Sequence, residues 1–144
     1  MGTKKCTLLI TYACNLQCVY CYERHKSFDK SKTMSFDVAK NIINRELQAM
    51  DGSERFDSVE FNFFGGEPLL HFDLIRKVVE WAEAESITDR CFFTATTNGT
   101  LINKGIEEWC GEHKEHFALG LSLDGVDDVQ MSNRGCSSEK IPAE

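Results

Sequence analysis

The stretch "SVEFNFFGGEPLLHFDLIRKVVEWAEA", residues 58–84, changes its period partway along. Its first seven residues alternate, with Val59, Phe61 and Phe63 set to face inward, and then stop at Gly65-Gly66. Alternation suits a strand, whose successive side chains point to opposite faces. From Phe72 to Ala84 the spacing becomes helical, because Ile75, Val78, Val79 and Ala82 fall on one stripe. Strand, glycine-proline loop and helix therefore follow one another directly. This is a β/α unit.

The same alternation of periods runs through the chain. "TLLITY" (7–12) is a short continuous apolar run, the pattern of a strand covered on both faces. "MSFDVAKNIINRELQAM" (34–50) places Phe36, Ala39, Ile43, Leu47 and Met50 on one helical stripe, with Ser35 as its N-cap. "DGSERFD" reads as a turn region, and "CFFTATT" (91–97) as a third strand ending at Asn98-Gly99. Residues 103–113 predict a third helix with Ile106, Trp109 and Cys110 on its buried side. "FALGLSLDG" (117–125) predicts a fourth strand closing on Asp124-Gly125. Beyond it, "VDDVQMSNRGCSSEKIPAE" turns polar and carries no convincing further element.

The order β-α-β-α-β-α-β predicts an α/β fold of about four parallel strands with right-handed helical crossovers. The helices share one side of a curving sheet or flank an open one. Each strand ends in a loop of unusual residues: the cysteines of 14–21, then Gly65-Gly66-Glu67-Pro68, then Thr97-Asn98-Gly99, then Ser122 to Gly125. Parallel α/β folds carry their active sites at the carboxyl ends of the strands. All the conspicuous chemistry falls on that one edge.

Composition narrows the class. A chain of 144 residues is the size of one ordinary domain, and 42% hydrophobic content with only two prolines argues against disorder. No apolar run reaches the roughly 18 residues of a membrane span, and the start reads as a buried strand instead of a signal peptide. A net charge of -7 argues against a nucleic-acid-binding face, which needs clustered Lys and Arg. The cysteines number seven, so a disulfide framework would leave one over, and the reducing cytoplasm is the expected compartment.

Three of those cysteines, Cys14, Cys18 and Cys21, have the spacing C-x3-C-x2-C in the loop leaving the first strand. Three thiolates on a [4Fe-4S] cube would leave one iron open to an exogenous ligand. The spacing alone leaves other readings open: a zinc site adding His25, inert buried thiols, or a C-x2-C redox pair.

With its neighbours, the cluster carries a resemblance. "CNLQCVYC" resembles the signature of the radical S-adenosylmethionine superfamily, with the aromatic Tyr20 just before the third cysteine. The flanking "TYA" and "YE" are similar to the branch of anaerobic sulfatase-maturating enzymes and SPASM-type peptide maturases. "FFGGEPLL", "TTNGTL", "LSLDG" and "NRG" follow in the family's order and spacing, so the resemblance runs from Thr7 to Gly135.

The resemblance implies that Cys14, Cys18 and Cys21 hold a [4Fe-4S] cluster whose fourth iron takes the amine and carboxylate of S-adenosylmethionine. Reductive cleavage of that ligand would give a 5'-deoxyadenosyl radical that abstracts hydrogen from a peptide or protein side chain. A reductant such as flavodoxin or ferredoxin would supply the electron. By the same resemblance Gly65, Gly66 and Glu67 form the loop whose carbonyls receive the methionine ammonium, with Glu67 holding the loop. Tyr20 brings main-chain atoms to the adenine, Ser122 and Arg134 hold the ribose and the methionine carboxylate, and Asn98 reaches the ribose or the sulfonium side. Asp124 shapes its loop. Cys6 and Cys91 are expected at strand starts and Cys110 in the core, while Cys136 has no assigned role; His25, His71, His113 and His116 are expected at loops, surfaces or helix ends.

A complete core of this superfamily has six β/α units. Residues 1–144 therefore resemble the N-terminal part of that core, a partial TIM-like β/α barrel without the later strands or a cysteine-rich extension. The expectation is a truncated piece or a short relative, with cofactor determinants present and substrate determinants mostly absent. The competing expectation is a non-catalytic iron–sulfur or zinc half-barrel that pairs with a partner.

Overall fold

The computed structural model describes residues 2–23 and 29–135. Nine elements follow in order: β1 (Gly2–Thr11), α1 (Phe36–Met50), β2 (Phe56–Gly65), a 3₁₀ turn (Pro68–His71), α2 (Phe72–Ala84), β3 (Cys91–Thr97), α3 (Lys104–Glu112), β4 (Phe117–Leu121) and α4 (Asp127–Arg134). The four strands form one parallel sheet in the order β1-β2-β3-β4. Strands adjacent in sequence are adjacent in space, as repeated β/α crossovers require. The result is a four-stranded segment of a barrel-like α/β fold.

Pattern and structure coincide most closely where the period is strong. Ser35 caps α1 by accepting the Val38 amide, and the helix buries Ala39, Ile43, Leu47 and Met50. Helix α2 buries Ile75, Val78, Val79 and Ala82. These side chains join Leu8, Ile10, Val59, Phe61, Phe63, Phe93 and Ala95 in one core, so the helices share a single side of the sheet. Phe93 stacks between Phe61 and Phe63 at centroid distances of 5.7 and 5.9 Å. Each fully buried aromatic contributes about 1.5–3 kcal/mol of burial. No helix among the described residues is long and apolar enough to cross a membrane.

Five expectations need correction. Strand β1 begins at Gly2, five residues earlier than its apolar run, because Thr3, Lys4 and Lys5 pair in register with Ser58, Val59 and Glu60. It is covered fully on one face only: Leu8 and Ile10 are buried while Leu9 between them is half-exposed. Cys6 therefore lies mid-strand, whereas Cys91 does open β3. Strand β4 ends at Leu121, and the polar tail contains a helix, α4. That helix starts on Asp127 and Asp128, which suit the positive end of the helix dipole, and stops at Gly135 with φ of 72°. Its buried residue is Gln130, so no apolar stripe announces it.

At the opposite edge from the strand-end loops, Glu83 of α2 is bonded to two imidazoles. His113 Nδ1 and His116 Nδ1 each lie 2.9 Å from its carboxylate, tying α2 to the turn before β4. Burial pushes the Glu83 carboxyl up, but the bonds from His113 and His116 outweigh it and hold the group below its ordinary range. A carboxyl lowered on folding contributes stability that is present above its unfolded pKa and fades as pH falls through the folded one. Glu83→Gln should remove that component, and chemical denaturation from pH 7 down to pH 3 measures it. The gap between wild type and variant should narrow as pH drops; a constant gap would contradict the assignment.

Candidate functional site

The in-register parallel strands bring their carboxyl ends to one edge, where the loop after β1 is fastened to each of its three neighbours. Thr11, buried at the end of β1, turns the chain by accepting the Ala13 amide on Oγ1 at 3.0 Å. The cysteines follow, with Cys14 exposed, Cys18 and Cys21 half-buried, and all three as free thiols. Residues 33 and 34 then return to β1, where the Met34 amide donates to the Ile10 carbonyl at 2.9 Å.

The first fastening is to the loop after β2. The Gly66 amide donates to the Thr11 carbonyl at 3.1 Å, and the Glu67 amide to the Ala13 carbonyl at 2.8 Å. The two backbones run so close that a Cβ on Gly65 would stand 2.0 Å from the Thr11 oxygen, and one on Gly66 2.3 Å from the Ala13 oxygen. Gly65 also has a φ of +153°, which side chains disfavour. Both glycines are dictated by this crossing.

Glu67 is the hub of the second fastening. Only 1% exposed, its carboxylate accepts from the Leu69 amide at 3.0 Å, the Thr97 hydroxyl at 2.6 Å and the Asn98 amide at 2.8 Å. One side chain thus caps the 3₁₀ turn and grips the end of β3. Asn98 then donates to Asn15 Oδ1 at 2.9 Å, while Asn15 donates to Thr100 Oγ1 at 2.8 Å. The Asn98 carbonyl oxygen accepts from both the amide and the hydroxyl of Thr100. Glu67→Gln would turn an amide toward donors that need an acceptor and should cost about 2 kcal/mol. Urea denaturation at pH 7 measures it, and a variant as stable as wild type would contradict the hub role.

The third fastening joins the cysteine loop to β4 and α4. The Val19 amide donates to the Asn133 carbonyl at 2.9 Å. The Tyr20 hydroxyl donates to the two oxygens of Asp124 at 2.9 and 2.8 Å. Arg134 donates to Asp124 Oδ1 from Nε at 2.9 Å and from Nη2 at 2.6 Å, and its guanidinium lies 5.6 Å from the Tyr20 ring centroid. Desolvation and then the bond to Asp124 push the Tyr20 hydroxyl up to about 12. The Arg134 bond holds the Asp124 carboxyl below its ordinary value, so the pair is ionised. Ser122 is half-exposed, and its amide donates to the Thr97 carbonyl at 2.9 Å.

All ten residues singled out in the sequence therefore stand on this edge: Cys14, Cys18, Cys21, Tyr20, Gly65, Gly66, Glu67, Asn98, Ser122 and Arg134. Sequence reasoning gave no role to Thr11, Asn15, Thr97, Thr100 or Gln130. The first four lie within motifs that were noticed, but short polar residues there read as ordinary turn formers. His25 and Cys136 lie outside the described residues.

The donor set suits an iron–sulfur cluster. Burial pushes the Cys14 and Cys18 thiols up, and the charge of Cys21 adds to both, while Arg134 draws Cys18 back down. Three free thiols on one loop are the soft ligands such a cluster takes. Among the described residues no group of three or more Cys, His, Asp or Glu is gathered around a metal-ion position.

Comparison with known proteins agrees with this geometry. The chain is 36% identical over 126 residues to the uncharacterised protein MJ0907 of Methanocaldococcus jannaschii, covering 88% of this chain and 40% of that one. It is 32% identical to a probable GTP 3',8-cyclase of Methanococcus maripaludis, covering 85% and 37%. It is 35% identical to the serine-type anaerobic sulfatase-maturating enzyme of Klebsiella aerogenes, covering 85% and 29%. The structure superposes on anSMEcpe with bound AdoMet and Kp18Cys peptide with a TM-score of 0.75 at 26% identity, covering 97% of this chain and 37% of that one. The chain thus spans less than half the length of each of these proteins. The family model of the Radical SAM superfamily matches residues 8–141. With the cysteine loop and its three fastenings on the carboxyl edge of a parallel sheet, this chain belongs to the radical SAM superfamily.

Proposed function

We propose that Cys14, Cys18 and Cys21 hold a [4Fe-4S] cluster and that the surrounding loops bind S-adenosylmethionine for hydrogen abstraction from a peptide or protein side chain. The observation that carries this reading is the fastening of one cysteine loop to all three neighbouring strand-end loops. When bound, the cluster and its ligand supply a reductively generated 5'-deoxyadenosyl radical, at the expense of an electron from a donor of the flavodoxin or ferredoxin class.

The chain's own residues supply position. Gly65, Gly66 and Glu67 offer carbonyls to the methionine ammonium, and the Glu67 carboxylate keeps that loop in place. Arg134 takes the methionine carboxylate, Ser122 the ribose, and the backbone at Tyr20 the adenine, with Asn98 holding its loop beside the ribose. Residues 1–144 correspond to the N-terminal part of a radical SAM core. A reducing compartment, the cytoplasm, suits the free thiols.

A peptide substrate is supported by the sulfatase-maturating relative and by the peptide-bound neighbour. The GTP cyclase relative favours a nucleotide as second reading. Anaerobic reconstitution with iron and sulfide, then reductant and S-adenosylmethionine, tests the core proposal through 5'-deoxyadenosine. Its formation, accelerated by a Cys- or Ser-containing sulfatase peptide and not by GTP, is expected. Acceleration by GTP alone would transfer the assignment to the nucleotide class. Stoichiometric zinc with no cleavage would favour the non-catalytic half-barrel that pairs with a partner.

A further inference from the structure

Arg134 is not held as a solvated cation would be. Its side chain is 12% exposed, and two of its nitrogens, Nε and Nη2, converge on a single oxygen of Asp124. Asp124, 14% exposed, is itself held from three directions. The Tyr20 hydroxyl donates to both of its oxygens, Arg134 to one, and its backbone amide donates to Gln130 Oε1 at 3.0 Å. Gln130 is fully buried in α4, one helical turn before Arg134. A buried glutamine on a helix of eight residues asks for a reason, and seating the Asp124 backbone provides one.

We infer that Asp124, seated by Gln130, is a positioning residue that sets the Arg134 guanidinium for recognition of a ligand carboxylate; this rests on the reading of Arg134 given above. The physical ground is pre-organisation. An arginine side chain loses much rotamer freedom when it binds, and a residue that has already fixed it lowers that cost at the moment of recognition. The lowered pKa of the Asp124 carboxyl keeps it ionised and able to hold the guanidinium at neutral pH. Nη1, the nitrogen that Asp124 does not engage, makes no hydrogen bond with any described residue. With Nε and Nη2 held by Asp124, Nη1 is presented to an incoming carboxylate, so a positioning role shows in how strongly the site prefers ligands that carry one. A purely structural ion pair would not show there.

Equilibrium binding of S-adenosylmethionine and of its decarboxylated analogue to the reconstituted chain tests this. Wild type should favour the carboxylate-bearing ligand by about ten-fold or more. Asp124→Asn should reduce that preference several-fold with the iron content unchanged, and Asp124→Glu should restore part of the difference. Equal discrimination by Asp124→Asn and wild type would overturn the positioning role while leaving the site reading intact. Tighter binding by Asp124→Asn would also overturn it, because Asp124 would then be a competitor for Arg134. A wild-type chain that holds the cluster and binds neither ligand would instead sink the site reading. Should Asp124→Asn fail to fold, Tyr20→Phe decides: it removes one donor to Asp124, and discrimination should fall several-fold, against no change if the inference is wrong.

Discussion

Replacing any one of Cys14, Cys18 or Cys21 with alanine should abolish cluster retention. Iron in the reconstituted protein should fall from about four per chain to near zero, because two thiolates do not hold a cube against loss to solvent. The brown colour and 5'-deoxyadenosine formation should disappear together. The other described cysteines provide the control. Cys6 lies within β1, Cys91 is buried at the start of β3 with its thiol pushed up to about 11 by burial, and Cys110 packs partly against the core. Cys6→Ala and Cys110→Ala should therefore retain full iron. Iron content after desalting checks the set, and a Cys18→Ala variant with undiminished iron would contradict the ligand assignment.

The second large effect falls on the glycines. Gly65→Ala would drive a methyl carbon to 2.0 Å from the Thr11 carbonyl oxygen, and Gly66→Ala one to 2.3 Å from the Ala13 oxygen. Both obstacles are backbone, and Thr11 is paired with Gly65 at the last position of the β1–β2 ladder. Relief therefore requires either separating the strand ends or breaking the bonds from Gly66 and Glu67 to Thr11 and Ala13. Overpacking of this kind, with the added backbone strain at Gly65, should cost about 3 kcal/mol or more. Gly52→Ala is the comparison: its Cβ would meet nothing within 4 Å, so the substitution should cost only what its φ of +82° imposes. Denaturant midpoints of the three variants measure the difference. Equal losses at Gly52 and Gly65 would contradict the close-approach argument.

How much of this was legible beforehand depended on what each residue buries. Helices α1 and α2 were readable residue by residue because their stripes are apolar and unbroken, and Ser35 marks its cap in plain sight. Helix α4 was not, since the side chain it buries is Gln130, and polarity at that position mimics a loop. The beginning of β1 was hidden for a related reason: Lys4 and Lys5 lie on an exposed stretch whose strand character comes from pairing with β2.

The site shows the same division. Cysteine spacing and the glycine-rich loop announced themselves by residue type. That Gly65 and Gly66 are fixed by the approach of Thr11 and Ala13, and that Glu67 grips Thr97 and Asn98, are long-range facts that only the folded register brings out. Asp124 was visible as a loop former, but its hold on Arg134 depends on a helix the pattern did not reveal.

The central claim is that three thiolates leave one corner of an iron–sulfur cube open to S-adenosylmethionine, and electron paramagnetic resonance of the reduced, reconstituted chain addresses it most directly. The account predicts a [4Fe-4S]⁺ signal whose g-values move when S-adenosylmethionine is added and stay put with 5'-deoxyadenosine, which carries neither the methionine amine nor its carboxylate. A signal indifferent to S-adenosylmethionine, or protein that holds no such centre after reconstitution, would contradict it.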